Sequence, residues 1–266
     1  MTKLFWCDTG SCTGLFNMRW DETAAMRVLE GKLSLPEDAA LVRFYGWSPF
    51  CISLGHNQRS TDIDYGSCAE AGVDVVRRPT GGRAVYHAEE VTYSVVLRPT
   101  KTNASHYAEI HEALRLGLMN LKVRCAFNRS SPDLVLRYKS SESMPCFTAA
   151  AKYELEAEGK KIVGSAQRRW KQNGDEVLLQ HGSILLSPKH KDLAKFLKVH
   201  DEQTRERIRY DLDRKTVSVS ELTGAVPDPA AVRDAMLEGF REAWCCERIL
   251  FDAGSVVVEP QPQFQG

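Results

Sequence analysis

Long apolar runs are missing from this sequence. Spanning a bilayer takes about 20 consecutive apolar residues, and no stretch of the 266 residues approaches that length. The first residues, MTKLFWCDTG, lack the apolar core of a secretion signal. An excess of charge is missing too. Lys plus Arg and Asp plus Glu both number 35, so bulk electrostatics offers no route to nucleic acid. The eight cysteines contain no Cys-x-x-Cys pair and no Cys/His spacing of a zinc site. Also absent are a Walker pattern, a Gly-x-Gly-x-x-Gly after a strand, a Gly-x-Ser-x-Gly elbow and a His-Glu-x-x-His. P-loop, dinucleotide, serine-hydrolase and zincin chemistries therefore have no support. No internal repeat and no proline- or serine-rich linker divides the chain, whose length fits one large domain or two small ones. The expectation is a cytoplasmic protein whose cysteines are mostly reduced, buried small hydrophobes, with at most one of them a nucleophile.

Hydrophobic content of 43% and charged content of 26% are those of an ordinary globular chain. The stretch Asn17 to Glu30 predicts an amphipathic helix with Trp20, Ala24 and Val28 on one face, capped by Asn17 and ended by Gly31. Asp21 and Glu22 favour its first turn, and Asp21 braces a site if it is buried. Leu41–Tyr45 and Cys51–Leu54 predict strands, and Gly55 to Gln58 a loop. Asp64–Ala71 predicts a short helix. Ser105–Leu121 predicts a longer one, capped by Ser105, with Ile110, Leu114, Leu118 and Leu121 as its buried stripe. Lys122–Phe127, Tyr153–Glu158, Lys161–Ala166, Gln180–Leu186 and Arg248–Phe251 read as strands. The region 188–197 and the stretch opened by Asp228-Pro229 read as helices. Asn128–Met144 reads mostly as a polar surface loop. Mixed strands and helices with hairpin-like spacing predict an α+β fold, with mixed and antiparallel sheets packed against helices.

Chemistry concentrates between Arg77 and Val96. A strand at Val73–Val76 runs into Arg77, Arg78, Gly81, Gly82 and Arg83, then His87, and Val91–Val96 reads as its return strand. Adjacent glycines let a backbone approach a ligand closely, and N–H groups with arginines can hold a phosphate, a carbonyl or a slender chain. A Gly-Gly hairpin with solvated arginines reads equally well. Cys146, Lys161, Gly164-Ser165-Ala166 and His181-Gly182 form a second concentration. A hairpin around Gly159-Lys160 allows Cys146 and Lys161 to approach. An ammonium there would favour the thiolate and hold an oxyanion. Two unrelated residues fit the same spacing. The basic run Arg168, Arg169, Lys171 reads as a loop, either an acidic-partner docking patch or a solvated hairpin tip.

The order Arg78-Pro79-Thr80-Gly81-Gly82-Arg83-Ala84-Val85, His87 and Thr92-Tyr93-Ser94 resembles the ligand loop of the biotin/lipoate protein ligase family. It is most similar to the octanoyltransferase branch typified by the bacterial LipM type. Four further segments agree in order: Asn17-Met18 with Asp21-Glu22, Arg43 to Trp47 with Ser53 and Gly55, Lys161 to Gln167, and Gln180 to Ser183. The resemblance implies a single α+β catalytic domain over 1–266, with a core of about 14–250 and a tail at 251–266. It implies that Cys146 takes an octanoyl group from acyl carrier protein as a thioester. That group would pass to a lysine of a lipoyl-domain protein, such as the glycine-cleavage H protein or an E2 subunit. Lys161 would position and polarise the acyl carbonyl and lower the thiol pKa. Arg78, Thr80, Gly81, Gly82, Arg83, Val85, His87, Gly164, Ser165, Ala166, His181 and Gly182 would contact the substrate. Thioester exchange followed by aminolysis needs no nucleotide, so no cofactor and no metal are expected, and the default oligomeric state is a monomer. An ATP-dependent lipoate ligase, using ATP and Mg, shares the loop and the lysine but needs no cysteine at 146. Ser131-Pro132-Asp133-Leu134 would stand where ligases carry Asn-Asp-Leu. The same resemblance leaves room for an octanoyl amidotransferase acting between lipoyl-domain proteins, and for a non-catalytic binding module. Biotin ligation is disfavoured, because the arginine-rich glycine loop of biotin ligases is missing.

Overall fold

Glu90–Leu97 is buried along its whole length, so both faces of this strand are covered. Val91, Tyr93, Val95 and Leu97 belong to one hydrophobic cluster and Val96 to another. The period-two alternation of a strand thus separates two cores. The computed structural model describes residues 1–128 and 154–258, and the central strand organises most of them.

The strands, in chain order, are β1 (Lys3–Cys12), β2 (Ala39–Trp47), β3 (Cys51–Leu54), β4 (Asp74–Arg77), β5 (Val85–His87), β6 (Glu90–Leu97), β7 (Ala126–Phe127), β8 (Leu155–Ala157), β9 (Lys160–Gln172), β10 (Asp175–Leu185) and β11 (Glu247–Leu250). The helices are α1 (Gly14–Leu29), α2 (Tyr65–Glu70), α3 (Asn103–Asn120), α4 (Glu202–Lys215), α5 (Val219–Thr223) and α6 (Pro229–Trp244), with a 3-10 segment at Pro188–Phe196. Among the described residues the large sheet runs β11-β1-β2-β6-β10-β9-β8-β7, and a small sheet runs β4-β3-β5. The pairs β11–β1, β1–β2 and β3–β4 are parallel, and the others are antiparallel. This is the expected α+β architecture of mixed sheets packed with helices.

Helices α3 and α6 cover one face of the large sheet, with Ile110, Leu114, Leu118, Met236 and Phe240 in the same core as β6. Helix α1 covers the other face through Trp20, Ala24, Ala25 and Val28. The small sheet packs on the 3-10 segment and α4 through Ile52, Leu54, Tyr86, Phe196 and Leu212. None of the described helices is long and apolar enough to cross a membrane.

Several boundaries differ from the sequence expectation. Helix α1 starts earlier, capped by the Thr13 side chain on Phe16 N, and Asn17 lies inside it. Thr102, not Ser105, caps α3. Only Ala126–Phe127 of 122–127 is strand. The larger correction concerns β4 and β6, which do not form a hairpin. β4 pairs with β3 in the small sheet, whereas β6 sits between β2 and β10 in the large one. The Gly81-Gly82 loop therefore joins β4 to β5 within the small sheet, and the chain crosses to the large sheet only after β5. Arg168, Arg169 and Lys171 are likewise strand residues of β9, and the turn follows at Asn173 and Gly174, both with positive φ. Asn-Gly favours such a turn, so the strand register runs through the basic residues. The expectation for Asn128–Met144 falls, beyond Asn128, outside the described residues.

Helices α3 and α6 touch at two glycines. A Cβ on Gly239 would lie 2.2 Å from the Ala113 carbonyl oxygen and 2.5 Å from Gly117 N. Gly239→Ala is expected to force the helices apart and to cost about 1–3 kcal/mol of stability, read as a lower denaturation midpoint at unchanged m-value.

Candidate active site

The two sheets meet where β10 passes β6 and β9. His181 pairs with Ser94 and Ala166, Gly182 with Tyr93 and Ser165, and Ser183 with Thr92 and Gly164. Side chains directly across a ladder share a face. One face thus carries His181, Ser183, Thr92 and Ser94, and the other carries Tyr93, Ser165 and Gln180. A cavity of about 320 Å³ opens here, at the small end of the usual range for ligand sites. Gly164, Ala166 and Gly182 contribute almost no side-chain volume to its wall, and a Cβ on Gly182 would lie 2.5 Å from Ser165 Oγ.

Behind the cavity, Asp21 is buried and receives four donors. Arg43 Nη1 (2.9 Å) and Ser94 Oγ (2.7 Å) reach Oδ1, and Tyr45 Oη (2.9 Å) and His181 Nδ1 (3.1 Å) reach Oδ2. Burial alone would push this carboxyl up. The His181 hydrogen bond and the Arg43 charge outweigh it and hold Asp21 below the usual carboxylate range. Burial pushes His181 down more strongly than Asp21 raises it. A neutral His181 donates from Nδ1 to Asp21 and accepts at Nε2 from Thr80 Oγ1, 2.6 Å away.

Glu90 anchors a second cluster. Its Oε1 accepts from His87 Nδ1 (2.8 Å), Thr92 Oγ1 (2.6 Å) and Ser183 Oγ (2.7 Å). Burial pushes Glu90 up, and the His87 charge with these hydrogen bonds outweighs it, so the carboxyl lies below its ordinary range. His87 Nε2 meets Ser53 Oγ at 2.7 Å, and the ring stacks on Trp47 at 4.0 Å.

The loop arginines act on carbonyls. Arg78 donates to the carbonyl oxygens of Gly81 (2.9 Å), Arg83 (2.8 Å) and Ser53 (2.9 Å). Arg77 holds those of Gly55 and Gln58, and Arg168 reaches across from β9 to Pro79 O at 2.8 Å. Gly82 has φ of +103°, a region that favours glycine. Arg78 and Arg168 thus fix the glycine loop through its carbonyls, while Arg77 ties down the neighbouring loop from Gly55 to Gln58.

Lys161 opens the edge of β9. Its carbonyl accepts from Val217 N at 3.0 Å, and its Nζ lies 2.5 Å from Glu154 Oε1. Both side chains are buried in the cavity wall. A register shift between Leu155 and Glu156 marks a bulge in the β8–β9 pairing here, and bulges re-aim side chains.

Of the sequence-predicted site residues, Arg78, Gly81, Gly82, Val85, His87, Lys161, Gly164, Ser165, Ala166, His181 and Gly182 all line this one cavity. Thr80 stands just behind it on His181. Arg83 is not in the lining and contributes its carbonyl to Arg78. Cys146 and Ser131 to Leu134 lie outside the described residues. The described cysteines are all unpaired with one another, and none of them lines the cavity. Burial pushes the Cys7 thiol up to about 12, those of Cys68 and Cys125 to about 11, and that of Cys51 well above its ordinary value. Such thiols carry little thiolate. Among the described residues no cluster of His, Cys, Asp or Glu could hold a metal ion.

Several site residues carry no signal in the sequence. Glu154 belongs to an alternating Tyr-Glu-Leu-Glu run in which acids mark the solvent side, but beside the bulge it lies buried in the cavity wall. His111 reads as helix filling, and it meets Ser165 Oγ at 2.9 Å. Glu90 is missed although His87 and Thr92 lie close to it in sequence, because its burial depends on β10, which supplies Ser183.

Acid should dismantle this polar core in two stages. A folded His181 held neutral binds fewer protons than its unfolded counterpart, which titrates near 6.5, so stability falls as pH drops below about 6.5. His190, lowered by burial to about 4, acts in the same direction. Asp21 and Glu90, depressed in the folded state, contribute stability above about pH 4 that is lost on further acidification. Calorimetric Tm is expected to be flat above about pH 7 and to fall through both windows. A Tm unchanged between about pH 7 and pH 4 would contradict a neutral His181 and a neutral His190.

The lipoyl protein ligase A/B catalytic domain family matches residues 13–241. An octanoyltransferase LipM of Kyrpidia tusciae is 38% identical over 241 residues, covering 88% of this chain and 85% of that protein. The octanoyltransferase LipM of Geobacillus kaustophilus is 36% identical over 255 residues, covering 91% and 87%. In fold, the chain resembles a bipartite lipoate protein ligase from Thermoplasma acidophilum, with a TM-score of 0.69 at 21% identity over 96% of this chain and 89% of that one. A lipoate-protein ligase A bound with ATP superposes with a TM-score of 0.66, also at 21% identity, over 96% and 92%. The family match over 13–241, with relatives 36 and 38% identical over 91 and 88% of the chain, means that the chain belongs to the lipoyl protein ligase A/B catalytic-domain family.

Proposed function

We propose that this chain is an octanoyltransferase that moves an octanoyl group from acyl carrier protein, through a thioester on Cys146, to a lysine of a lipoyl-domain protein. The acceptor class includes the glycine-cleavage H protein and E2 subunits. On this proposal the reaction needs neither nucleotide nor metal, and the protein acts as a cytoplasmic monomer. It is supported by relatives of 36 and 38% identity that carry the octanoyltransferase name. The structural observation behind it is an ammonium, Lys161 Nζ, buried in the wall of a cavity of about 320 Å³ that Gly81, Gly82, Val85, Gly164, Ala166 and Gly182 also line. Such a wall suits a slender acyl chain, and the ammonium suits the oxygen of its carbonyl.

In the first step the Cys146 sulfur forms a bond to the carbonyl carbon of the donor thioester. The C=O π pair moves to oxygen, where a Lys161 N–H stabilises the developing charge. Collapse expels the carrier thiolate. In the second step the acceptor amine attacks the new thioester, and the amide forms as the Cys146 sulfur leaves. The acyl group arrives activated, so no adenylate is required. The Arg78 and Arg168 clamps hold the glycine loop in place before any ligand arrives, which reduces the ordering cost of binding.

Intact mass after incubation with octanoyl-acyl carrier protein and no ATP tests this function. One octanoyl adduct is expected on the wild type and none on Cys146→Ala. No adduct, together with ATP-dependent acylation of a lipoyl domain, would favour a ligase instead. Lys161→Met, which keeps the length of the side chain, is expected to slow adduct formation by about 10²–10³-fold, the usual effect of deleting one oxyanion donor. Stopped-flow acylation at saturating donor gives this rate.

A further inference from the structure

We propose that Glu154 is the group that binds the acceptor lysine in this cavity and takes its proton, so that transfer to the acceptor, more than loading of the enzyme, depends on it. This role rests on the transferase function proposed for the chain.

The chemistry sets the need. A lysine side chain titrates near 10.4, so at pH 7 only about one in a few thousand is the neutral amine that can attack a thioester. A site that transfers acyl groups to lysine gains from a base beside the carbonyl.

The geometry narrows the choice. Among the described residues Glu154 is the one carboxylate in the cavity wall. Asp21 and Glu90 stand behind the wall, where their donors come from the fold itself. The two cavity imidazoles are engaged at both nitrogens, His87 by Glu90 and Ser53, and His181 by Asp21 and Thr80. Lys161 is a cation and has no lone pair to offer. Glu154, only 3% exposed, sits with an oxygen 2.5 Å from Lys161 Nζ. The base thus stands beside the group assigned to the acyl oxygen.

The same pair explains why the lysine would release its proton. An ammonium entering this wall is desolvated, which favours its neutral form, and the nearby Lys161 charge offsets the pull of the Glu154 carboxylate on it. The proton passes from the ammonium to a Glu154 oxygen, leaving R–NH2 and a carboxylic acid. The nitrogen lone pair then forms the C–N bond, and the carbonyl π pair moves to oxygen beside Lys161. Collapse restores the C=O and breaks C–S, and sulfur leaves with the electron pair and takes the second amine proton as the thiol. Glu154 returns its proton to solvent. Ammonium and thioester have become amide, thiol and one released proton.

The test separates the two half-reactions. Acyl-enzyme is formed with octanoyl-acyl carrier protein, freed of donor, mixed with a lipoyl domain and quenched. Glu154→Gln is expected to slow transfer to lysine by about 10²-fold at pH 7, with loading affected far less. The transfer rate of this variant should rise about tenfold per pH unit towards pH 9, as free lysine amine becomes available, while the wild type stays nearly flat. Hydroxylamine, neutral at pH 7, should discharge wild-type and variant acyl-enzymes within about twofold of each other. Glu154→Asp, which keeps the charge, should regain at least about tenfold over Glu154→Gln, and Glu154→Ala gives the same pH test if the glutamine variant does not fold. Equal transfer by wild type and Glu154→Gln would overturn the proposal. So would a hydroxylamine discharge that falls as far as transfer to lysine, because Glu154 would then only hold Lys161 in place. No adduct on the wild type would overturn the transferase function itself.

Discussion

The buried carboxylate of Asp21 is the constraint on which the site depends. It lies on α1, yet its donors come from β2, β6 and β10, three adjacent strands of the large sheet. A charge taken out of water is costly unless its lone pairs are met. Only one placement of α1 against those strands meets them all. Arg43, also fully buried, is held from the other side by the Asn17 side chain (2.6 Å) and lies over the rings of Tyr45 (3.9 Å) and Trp20 (4.6 Å). Asn17 in turn bonds the Gly46 carbonyl. Removing one member would strand the others, which is how a polar core specifies one arrangement.

From Asp21 the constraint travels through His181 to Thr80, and so to the Gly81-Gly82 loop. The loop is then held by arginines whose donors end on its carbonyls. In local sequence, arginines beside glycines look like an anion site. In the fold Arg78 and Arg168 brace the loop through its carbonyls, and Arg78 lines the cavity together with Gly81, Gly82 and Val85. The Glu90 cluster does similar work one strand further on, fixing the His87 ring against Trp47. Together the two carboxylates give the cavity a hydrogen-bonded polar back, beside which Val85, Gly164, Ala166 and Gly182 line it. Among the described residues, Lys161 and Glu154 are the ion pair whose two members both line the cavity. An ion pair presents a dipole to its neighbours, a weaker and more directional field than that of a lone ammonium.

Much of the site is legible in the sequence because the motif residues cluster on strands that become neighbours. Arg78 to Val85, Lys161 to Ala166 and His181-Gly182 stand out in three separate stretches, and residues of all three line one cavity. The order of elements is legible too, since α1, α3 and α6 carry clear apolar stripes. Pairing is not. Val91–Val96 follows the glycine loop and has the composition of a return strand, but local sequence carries no record of which strand lies alongside. It pairs with β2 and β10, with Val91, Tyr93, Val95 and Leu97 buried on one face and Thr92 and Ser94 hydrogen-bonded to buried carboxylates on the other. Arg168 and Arg169 look like a loop because they are charged. They are strand residues whose charge is met by Pro79 O for the one and Glu176 for the other.

By itself the sequence determined the α+β class, the helices with strong periodicity, the turn residues and the short motifs of the family. These depend on near neighbours along the chain, where spacing and side-chain chemistry are sufficient. Tertiary structure alone decided that the glycine loop joins two strands of the small sheet while Val91–Val96 goes to the large one, that Asp21 and Glu90 are the buried carboxylates behind the site, and that Glu154 turns inward onto Lys161. Those outcomes rest on burial and on a bulge in strand pairing. Most partners of the two buried carboxylates come from residues tens to hundreds of positions away, and no local pattern distinguishes an acid that will face water from one that the fold will surround.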